Sequence, residues 1–275
     1  MQVTDLFVYP LKGAAPVRLT AASLDAFGIR HDRRWMVIDE AGRFVTAREQ
    51  PCLLQIETTF DGDVPVLSSS RAGELRLESD AAAQSVVTRV RVWQDTVDAI
   101  DQGDAASAFI TRHLGFDARM VHMPDSTLRQ ADRACAEEGD RVSFADGFPL
   151  LLIGQASLDE LNARLAVPVP MQRFRPNVVV AGAPAHDEDA WRRIRIGAVE
   201  CDVVKGCARC VVTTIDPATA IAAKEPLRTL ATYRHAEGQV WFGQNLIHRG
   251  TGAVRVGDTV SVLARGEPRP ALHGS

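Results

Sequence analysis

Short strand-like segments separated by polar turns fill the first hundred residues, and this pattern constrains the fold more than any other. Residues 35–38 and 43–47 flank Asp39-Glu40-Ala41-Gly42, a turn sequence that predicts a β-hairpin. Further strands are predicted at residues 3–8, 53–59, 64–67, 74–77 and 86–93. Short strands at such regular spacing are typical of a small barrel or sandwich.

The middle of the chain predicts helices. Asp104 is expected to cap a segment that carries Phe109 and Ile110 and ends at Gly115. Ser157-Leu158-Asp159-Glu160 is a capping-box sequence, which predicts the start of a second helix. Strands are predicted again at residues 177–180, 194–204, 210–215, 239–242 and 260–263. The expected fold class is therefore mixed, β-rich α+β.

The composition is that of an ordinary globular enzyme: 275 residues, 46% hydrophobic and 24% charged. The net charge of -4 argues against bulk nucleic-acid binding. No apolar run approaches the roughly 18 residues that a membrane span requires. Five irregularly spaced cysteines suit a reducing compartment, and the strand-like start of the chain predicts no targeting peptide. These features predict a cytoplasmic protein.

Two of the five cysteines, Cys207 and Cys210, lie three residues apart with Arg209 between them. The β-branched run that follows, Val211-Val212-Thr213-Thr214, predicts a strand. A neighbouring positive charge lowers a thiol pKa, so such a cysteine makes a good soft-metal ligand or nucleophile.

Three interpretations of this pair stay open on these residues alone. A structural zinc site needs four ligands, and the other cysteines are scattered. A thioredoxin-like redox pair should open a helix, for which Val211-Val212-Thr213-Thr214 is a poor start. Two small buried thiols in a core strand are the default for an intracellular protein.

The run Cys-Ala-Arg-Cys-Val-Val-Thr-Thr-Ile-Asp-Pro at residues 207–217 resembles the signature of the MOSC family, in particular its amidoxime-reducing branch and the bacterial counterparts. Other matching motifs occur in the same order along nearly the whole chain: residues 9–13, 32–37, 45–48, 174–178, 224–227 and 242–245. The resemblance implies an N-terminal MOSC β-barrel domain at residues 1–120 and a MOSC domain at residues 121–265. Residues 266–275 are expected to form a disordered tail.

By this resemblance the chain binds a molybdenum cofactor, a pyranopterin dithiolene (molybdopterin) that carries a phosphate. Cys210 occupies the position of the family's molybdenum ligand and is the expected catalytic residue, whereas Cys207 does not. Lys12 and Arg33 occupy the positions that contact the phosphate. Arg34 stands where relatives often have an aromatic residue, and it is a candidate for a second phosphate contact.

The resemblance also implies contacts to the pterin. Arg175 and Asn177 match cofactor-contacting residues, and on a strand they would point to the same face. Asp146 would accept hydrogen bonds from the pterin amino groups, while Gly147 could contribute only its backbone N–H. Arg209 is expected to stabilise the ligand thiolate and to steer an acidic donor protein.

The implied activity is the two-electron reduction of N–O bonds in N-hydroxylated compounds. The chain lacks the four clustered cysteines that an iron–sulfur cluster requires, so a separate ferredoxin- or flavin-type protein is expected to donate electrons. A non-catalytic carrier of the cofactor or of sulfur is the alternative, because the same domain binds cofactor for another domain in molybdenum cofactor sulfurases.

Overall fold

The computed structural model describes residues 1–77 and 86–270 and confirms the predicted mixed, β-rich class, with 42% strand and 17% helix. The strands are β1 (Gln2–Val8), β2 (Val17–Leu19), β3 (Ala21–Asp25), β4 (Gly28–Ile29), β5 (Trp35–Ile38), β6 (Glu57–Asp61), β7 (Val64–Ser69), β8 (Gly73–Arg76), β9 (Val87–Val92), β10 (Asp95–Asp101), β11 (Arg119–His122), β12 (Leu150–Gly154), β13 (Val178–Ala181), β14 (Trp191–Ile196), β15 (Val199–Ala208), β16 (His235–Ala236), β17 (Gln239–Arg249), β18 (Gly252–Arg255) and β19 (Val260–Arg265). The helices are α1 (Gly103–Leu114), α2 (Gln155–Arg164) and α3 (Leu227–Ala231).

One nine-stranded sheet holds most of the C-terminal half, in the order β19-β14-β15-β17-β12-β13-β1-β2, with β16 paired to β17. The sheet also includes the first strand of the chain, because β1 pairs antiparallel with β13. A second contact between the two ends of the chain lies in another sheet, where β3 pairs with β18. The predicted domains at residues 1–120 and 121–265 therefore share a sheet, and the division near residue 120 stays a prediction.

Three smaller sheets carry the rest of the N-terminal half: β5-β11-β10-β9, β18-β3-β4 and β6-β7-β8. An apolar cluster around Trp35, Phe109 and Met120 packs α1 against β5 and β11. The nine-stranded sheet buries a second cluster that includes Leu6, Leu152 and Trp191. Burial of these apolar side chains is the main force that holds the sheets together.

Both helices occur where the sequence predicts them, but their capping differs. Asp104 lies in the first turn of α1, whose N-cap is Gln102, and the helix ends at Gly115 in a left-handed conformation as expected. Helix α2 starts at Gln155, so Ser157 lies inside the helix and the predicted capping box is wrong. The Ser157 hydroxyl is instead 2.7 Å from the buried Glu188 carboxylate, a tertiary partner that local sequence does not reveal.

Several predicted strands are wrong for local reasons. The second strand of the predicted hairpin forms only isolated bridges, although the turn forms and Asp39 N–H donates to the Arg43 carbonyl at 2.9 Å. The segment that begins the predicted strand at residues 53–59 is a 3-10 turn at Pro51–Gln55. The predicted strand at residues 194–204 is a hairpin of β14 and β15 that turns at Gly197.

The predicted disordered tail is wrong for residues 266–270. The Arg269 N–H donates to the Asp189 carbonyl at 2.9 Å, and its own carbonyl accepts from the Gln244 side chain at 2.9 Å. Pro270 packs on β15 beside Gly206. A Cβ added at Gly206 would lie only 3.2 Å from the Cδ atom of Pro270. Residues 271–275 lie outside the described part of the chain. Among the described residues, no helix is long and apolar enough to cross a membrane.

Candidate functional site

A cleft with a cavity volume of about 180 Å³ opens between the N-terminal sheets and the end of β15. It brings together eight residues that the sequence predicts for the site: Lys12, Arg33, Asp146, Gly147, Arg175, Asn177, Arg209 and Cys210. These residues are separated by up to 198 positions in the sequence, so only the tertiary fold places them in one cavity.

Tyr9 organises the basic floor of the cleft. Its ring is fully buried at the end of β1, and its hydroxyl donates to the Pro176 carbonyl at 3.1 Å. The guanidinium groups of Arg33 and Arg175 lie 4.1 and 4.3 Å from the ring centroid. Stacking on one rigid aromatic ring holds both cations in place without using their N–H donors. Burial raises the pKa of the Tyr9 hydroxyl, which therefore stays neutral.

Arg33 connects the two halves of the chain. Its guanidinium pairs with the buried Asp32 carboxylate and donates to the Asn177 side-chain oxygen at 3.2 Å and to the Arg175 carbonyl at 3.1 Å. The residue adopts a positive φ of 48°, an uncommon conformation for a side chain of this size. Burial raises the pKa of Asp32, and the adjacent Arg33 charge opposes that shift.

Arg175 and Asn177 are near each other, but the prediction that they share one face of a strand is wrong. Arg175 ends a 3-10 turn, Met171–Phe174, in a left-handed conformation with φ 56°, before β13 begins. Its guanidinium donates to the Ala14 carbonyl at 2.7 Å. The Asn177 amide is buried and binds the Leu151 N–H and the Phe7 carbonyl, so its role in the fold is to join β12 and β1.

Lys12 and Asp146 form an ion pair at the other side of the cleft, with 2.6 Å between Nζ and Oδ1. Lys12 Nζ also donates to the Phe144 carbonyl at 2.7 Å, and Trp93 Nε1 donates to Asp146 at 3.1 Å. Burial lowers the pKa of Lys12, and Asp146 opposes that shift. Burial by itself would raise the pKa of Asp146. The Lys12 charge and the hydrogen bonds from Lys12 and Trp93 outweigh burial and hold the pKa of this carboxyl well below its usual range.

The predicted second phosphate contact, Arg34, does not line the cleft. Its guanidinium is buried elsewhere and donates to the Met123 carbonyl and to the Asp125 carboxylate, at 3.0 and 2.7 Å. Arg33 turns toward the cleft while Arg34 turns away, because Arg33 lies in a turn and adopts a positive φ, which redirects the chain just before β5. The Arg-Arg sequence could not tell these two positions apart.

The cysteine pair also lines the cleft, with Cys207 near the end of β15 and Cys210 just after that strand. Arg209 Nη1 donates to Cys207 Sγ at 2.8 Å, and Nη2 donates to the Phe174 carbonyl. Burial raises the pKa of the Cys207 thiol, and the Arg209 charge partly opposes that shift. The Arg209 Nε is buried and has no hydrogen-bond partner among the described residues.

The strand predicted at residues 210–215 is wrong, since Val211–Thr214 forms a 3-10 turn that starts directly after Cys210. The Cys210 carbonyl accepts hydrogen bonds from the Thr213 N–H at 3.1 Å and from its hydroxyl at 2.9 Å. The Thr214 hydroxyl donates in the same way to the Val211 carbonyl at 2.7 Å. Threonine hydroxyls that bond to nearby backbone carbonyls offer the chain an alternative to a strand ladder.

Among the lining residues that the sequence analysis did not select as site residues are two aromatic and two basic side chains: Phe44, Trp93, Arg48 and Arg173. Trp93 lies at the cleft mouth, with the Arg48 guanidinium 4.7 Å from its ring centroid and the Phe44 ring 4.9 Å away. Arg173 lines the cleft beside the turn that follows Cys210. Arg48 belongs to the family motif at residues 45–48, so the sequence did contain a signal for its presence in the site. Nothing in the sequence distinguished Trp93 from other tryptophans.

Comparison with protein families agrees with this architecture. The family described as "MOSC N-terminal beta barrel domain" matches residues 1–117, and the family described as "MOSC domain" matches residues 139–261. The two matches together cover most of the chain and include every cleft residue predicted from the sequence.

Curated relatives match over nearly the full chain. Human mitochondrial amidoxime-reducing component 1 is 34% identical over 96% of this chain and 83% of the relative. The zebrafish (Danio rerio) protein of the same name is 37% identical over 94% and 83%, and bovine (Bos taurus) mitochondrial amidoxime reducing component 2 is 33% identical over 94% and 82%. The prediction of a cytoplasmic location is wrong by this comparison, because these relatives are named as mitochondrial proteins.

Proposed function

The chain belongs to the MOSC family, and we propose that it is a molybdenum-cofactor-dependent reductase of N-hydroxylated compounds. The observation that carries the proposal is that one cleft is lined both by a basic cluster and by a cysteine pair. The names of its relatives, amidoxime-reducing components, supply the reaction class.

The donor set of the cleft fits a phosphate-bearing dithiolene cofactor. Lys12, Arg33 and Arg175 converge from three parts of the chain, and charged donors of this kind suit a phosphate group. Cys210 is a free cysteine, and sulfur ligands are the type that soft transition metals prefer. The buried, unpartnered Nε of Arg209 is a donor that a bound group would satisfy.

When bound, such a cofactor supplies the two-electron redox chemistry of molybdenum. The residues of the chain bind and orient it. Stacking of Arg33 and Arg175 on Tyr9 fixes the two guanidinium groups before any ligand arrives, which lowers the cost of ordering them. The 3-10 turn that anchors the Cys210 carbonyl holds the cysteine at the end of β15.

The net reaction consumes two electrons and two protons: R–NHOH is reduced to R–NH2, the N–O bond breaks, and the oxygen leaves as water. We propose that a separate electron-transfer protein provides the electrons. The basic cleft favours approach of an acidic donor, and such encounters are usually small and sensitive to salt.

The test is reduction of benzamidoxime by protein co-expressed with an intact molybdenum cofactor pathway, with reduced viologen as donor. We expect stoichiometric molybdenum, conversion to benzamidine with viologen, and no conversion with NADH alone. Robust reduction driven by NADH would contradict the need for a donor protein. Bound molybdenum without turnover, with any donor, would favour the carrier function instead.

A further inference from the structure

Arg173 is a basic residue of the cleft that the proposed cofactor contacts do not use. It belongs to the 3-10 turn Met171–Phe174, and its Nη1 donates to the Thr213 carbonyl at 3.3 Å. Thr213 in turn donates to the Cys210 carbonyl through both its N–H and its hydroxyl. Arg173 is therefore attached to the same short turn that holds the cysteine proposed to bind the metal.

The hydrogen-bonding capacity of this guanidinium is largely unfilled. The side chain is only 12% exposed, and its buried Nε has no partner among the described residues. Nη2 lies 3.5 Å from Asp216 Oδ2, an ion-pair distance without a hydrogen bond, while Oδ1 of that carboxylate accepts from the Ala218 N–H. Because Nε is buried and Nη1 already donates to the Thr213 carbonyl, Nη2 is the nitrogen that keeps donor capacity for a carboxylate of a ligand.

Arg173 is also electrostatically separate from the group proposed to hold the phosphate. Burial lowers the pKa of Arg173, and the only opposing charge is Asp216. Burial also lowers the pKa of Arg175, which lies in the field of Arg33, Asp32 and Asp146. The contacts of the two arginines differ in the same way, since Arg173 donates to the Thr213 carbonyl, whereas Arg175 donates to the Ala14 carbonyl and stacks on Tyr9.

The cleft as a whole favours anions. Six basic side chains line it against one carboxylate, Asp146: Lys12, Arg33, Arg48, Arg173, Arg175 and Arg209. One phosphate would use only part of this positive charge. A second negative group would find a partner in Arg173, which lines the cleft and is hydrogen-bonded to Thr213 of the turn that follows Cys210.

We propose that Arg173 is a specificity-determining residue that binds a carboxylate of the substrate, so that the enzyme favours N-hydroxylated compounds bearing a carboxylate over neutral ones. The proposal rests on the reductase function proposed above. It specifies the charge of the preferred substrate, which the reaction class alone leaves open.

A matched pair of substrates tests it: benzamidoxime and 4-carboxybenzamidoxime, which differ only in the carboxylate. In Arg173→Gln we expect kcat/KM for the carboxylated substrate to fall about tenfold or more, as loss of one charge-assisted contact allows. The neutral substrate should change by less than about twofold. Arg173→Lys should restore part of the loss, and Arg228→Gln, an exposed arginine on α3, serves as the control.

A binding measurement keeps the test independent of turnover. Titration calorimetry with 4-carboxybenzamidine and benzamidine on the molybdenum-loaded protein should show the same selective loss in Arg173→Gln. Molybdenum content must stay at the wild-type level, since its loss would assign Arg173 to the cofactor instead. Equal losses for both compounds, or none for either, would overturn the proposal. If wild-type protein reduces neither substrate, the reductase function fails, and the calorimetry still decides whether Arg173 selects carboxylates.

Discussion

The Arg209 guanidinium donates a hydrogen bond to Cys207 Sγ at 2.8 Å, so the arginine of the Cys-Ala-Arg-Cys motif contacts the first cysteine and not the proposed metal ligand. The same guanidinium also donates to the Phe174 carbonyl. Arg209 thus ties the end of β15 to the turn before Arg175. The expectation that Arg209 stabilises the thiolate of Cys210 stays a prediction, whereas its contact with Cys207 is direct.

The first prediction separates the two cysteines. Cys210→Ser should abolish turnover and most of the bound molybdenum, because a serine hydroxyl is a poor ligand for a soft metal. Cys207→Ser should be milder, since Arg209 can donate to a hydroxyl as well as to a thiol. Molybdenum analysis of purified protein measures both effects, with Cys135→Ser as the control for a partly buried cysteine outside the cleft. Normal metal content in Cys210→Ser would refute the ligand assignment.

The second prediction concerns Arg175 and the cofactor phosphate. Arg175→Gln should weaken cofactor binding about tenfold or more, the cost of one charge-assisted hydrogen bond. Folding should suffer little, because the Arg175 side chain makes one hydrogen bond to the described residues, to the Ala14 carbonyl, and otherwise stacks on Tyr9. Cofactor retention during dialysis, compared with thermal unfolding of the cofactor-free protein, separates the two effects. Unchanged retention would exclude Arg175 from the phosphate site.

The third prediction concerns Gly243 in the Phe-Gly-Gln-Asn motif of β17. Its φ is +80°, and an added Cβ would lie 2.6 Å from Ile153 Cγ1 and 2.8 Å from the Leu152 carbonyl. Gly243→Ala should therefore lower the free energy of unfolding by about 2 kcal/mol or more, from backbone strain and overpacking together. Gly238→Ala has a similar φ of +72° but open space, and should cost about 1 kcal/mol. Equal losses in urea titrations would show that packing at β12 is unimportant.

The fourth prediction is a pH dependence of stability. Burial and the nearby Arg34 lower the pKa of His122 to about 4 in the folded protein, below the ordinary value near 6.5. The unfolded chain therefore binds more protons between these values, so stability is lost as pH falls from about 6.5 toward 4. Each pKa unit corresponds to about 1.4 kcal/mol.

His122→Gln should flatten this pH dependence relative to wild type, whereas His235→Gln, at an exposed position, should leave it unchanged. Urea titrations at pH 7 and pH 5 provide the comparison. Using the difference between variants removes the contribution of the buried carboxyl groups Asp32 and Asp189, whose pKa values burial raises. Parallel curves for wild type and His122→Gln would contradict the assignment.

The sequence by itself determined the β-rich class, the family, and the residue types of the cleft, because these depend on local alternation and on motifs that keep their order along the chain. Secondary-structure predictions from the sequence were wrong where a hydrogen bond to a distant or unexpected partner decides the local conformation. Ser157 was predicted to cap a helix, but its hydroxyl bonds to Glu188, which is distant in sequence. The β-branched run after Cys210 was predicted to be a strand, but it forms a turn in which threonine hydroxyls donate to nearby backbone carbonyls.

Only the tertiary structure decided which charges meet and what each one faces. Arg33 and Arg34 are the same residue type at adjacent positions. Arg33 stacks on Tyr9 in the cleft, whereas Arg34 is buried and donates to the Met123 carbonyl. Arg173 carried no signal in the sequence, and the structure shows that it lines the cleft and donates to Thr213 in the turn after Cys210. The physical reason is that hydrogen-bond satisfaction and desolvation belong to the assembled environment of a side chain, which residues far apart in sequence create together.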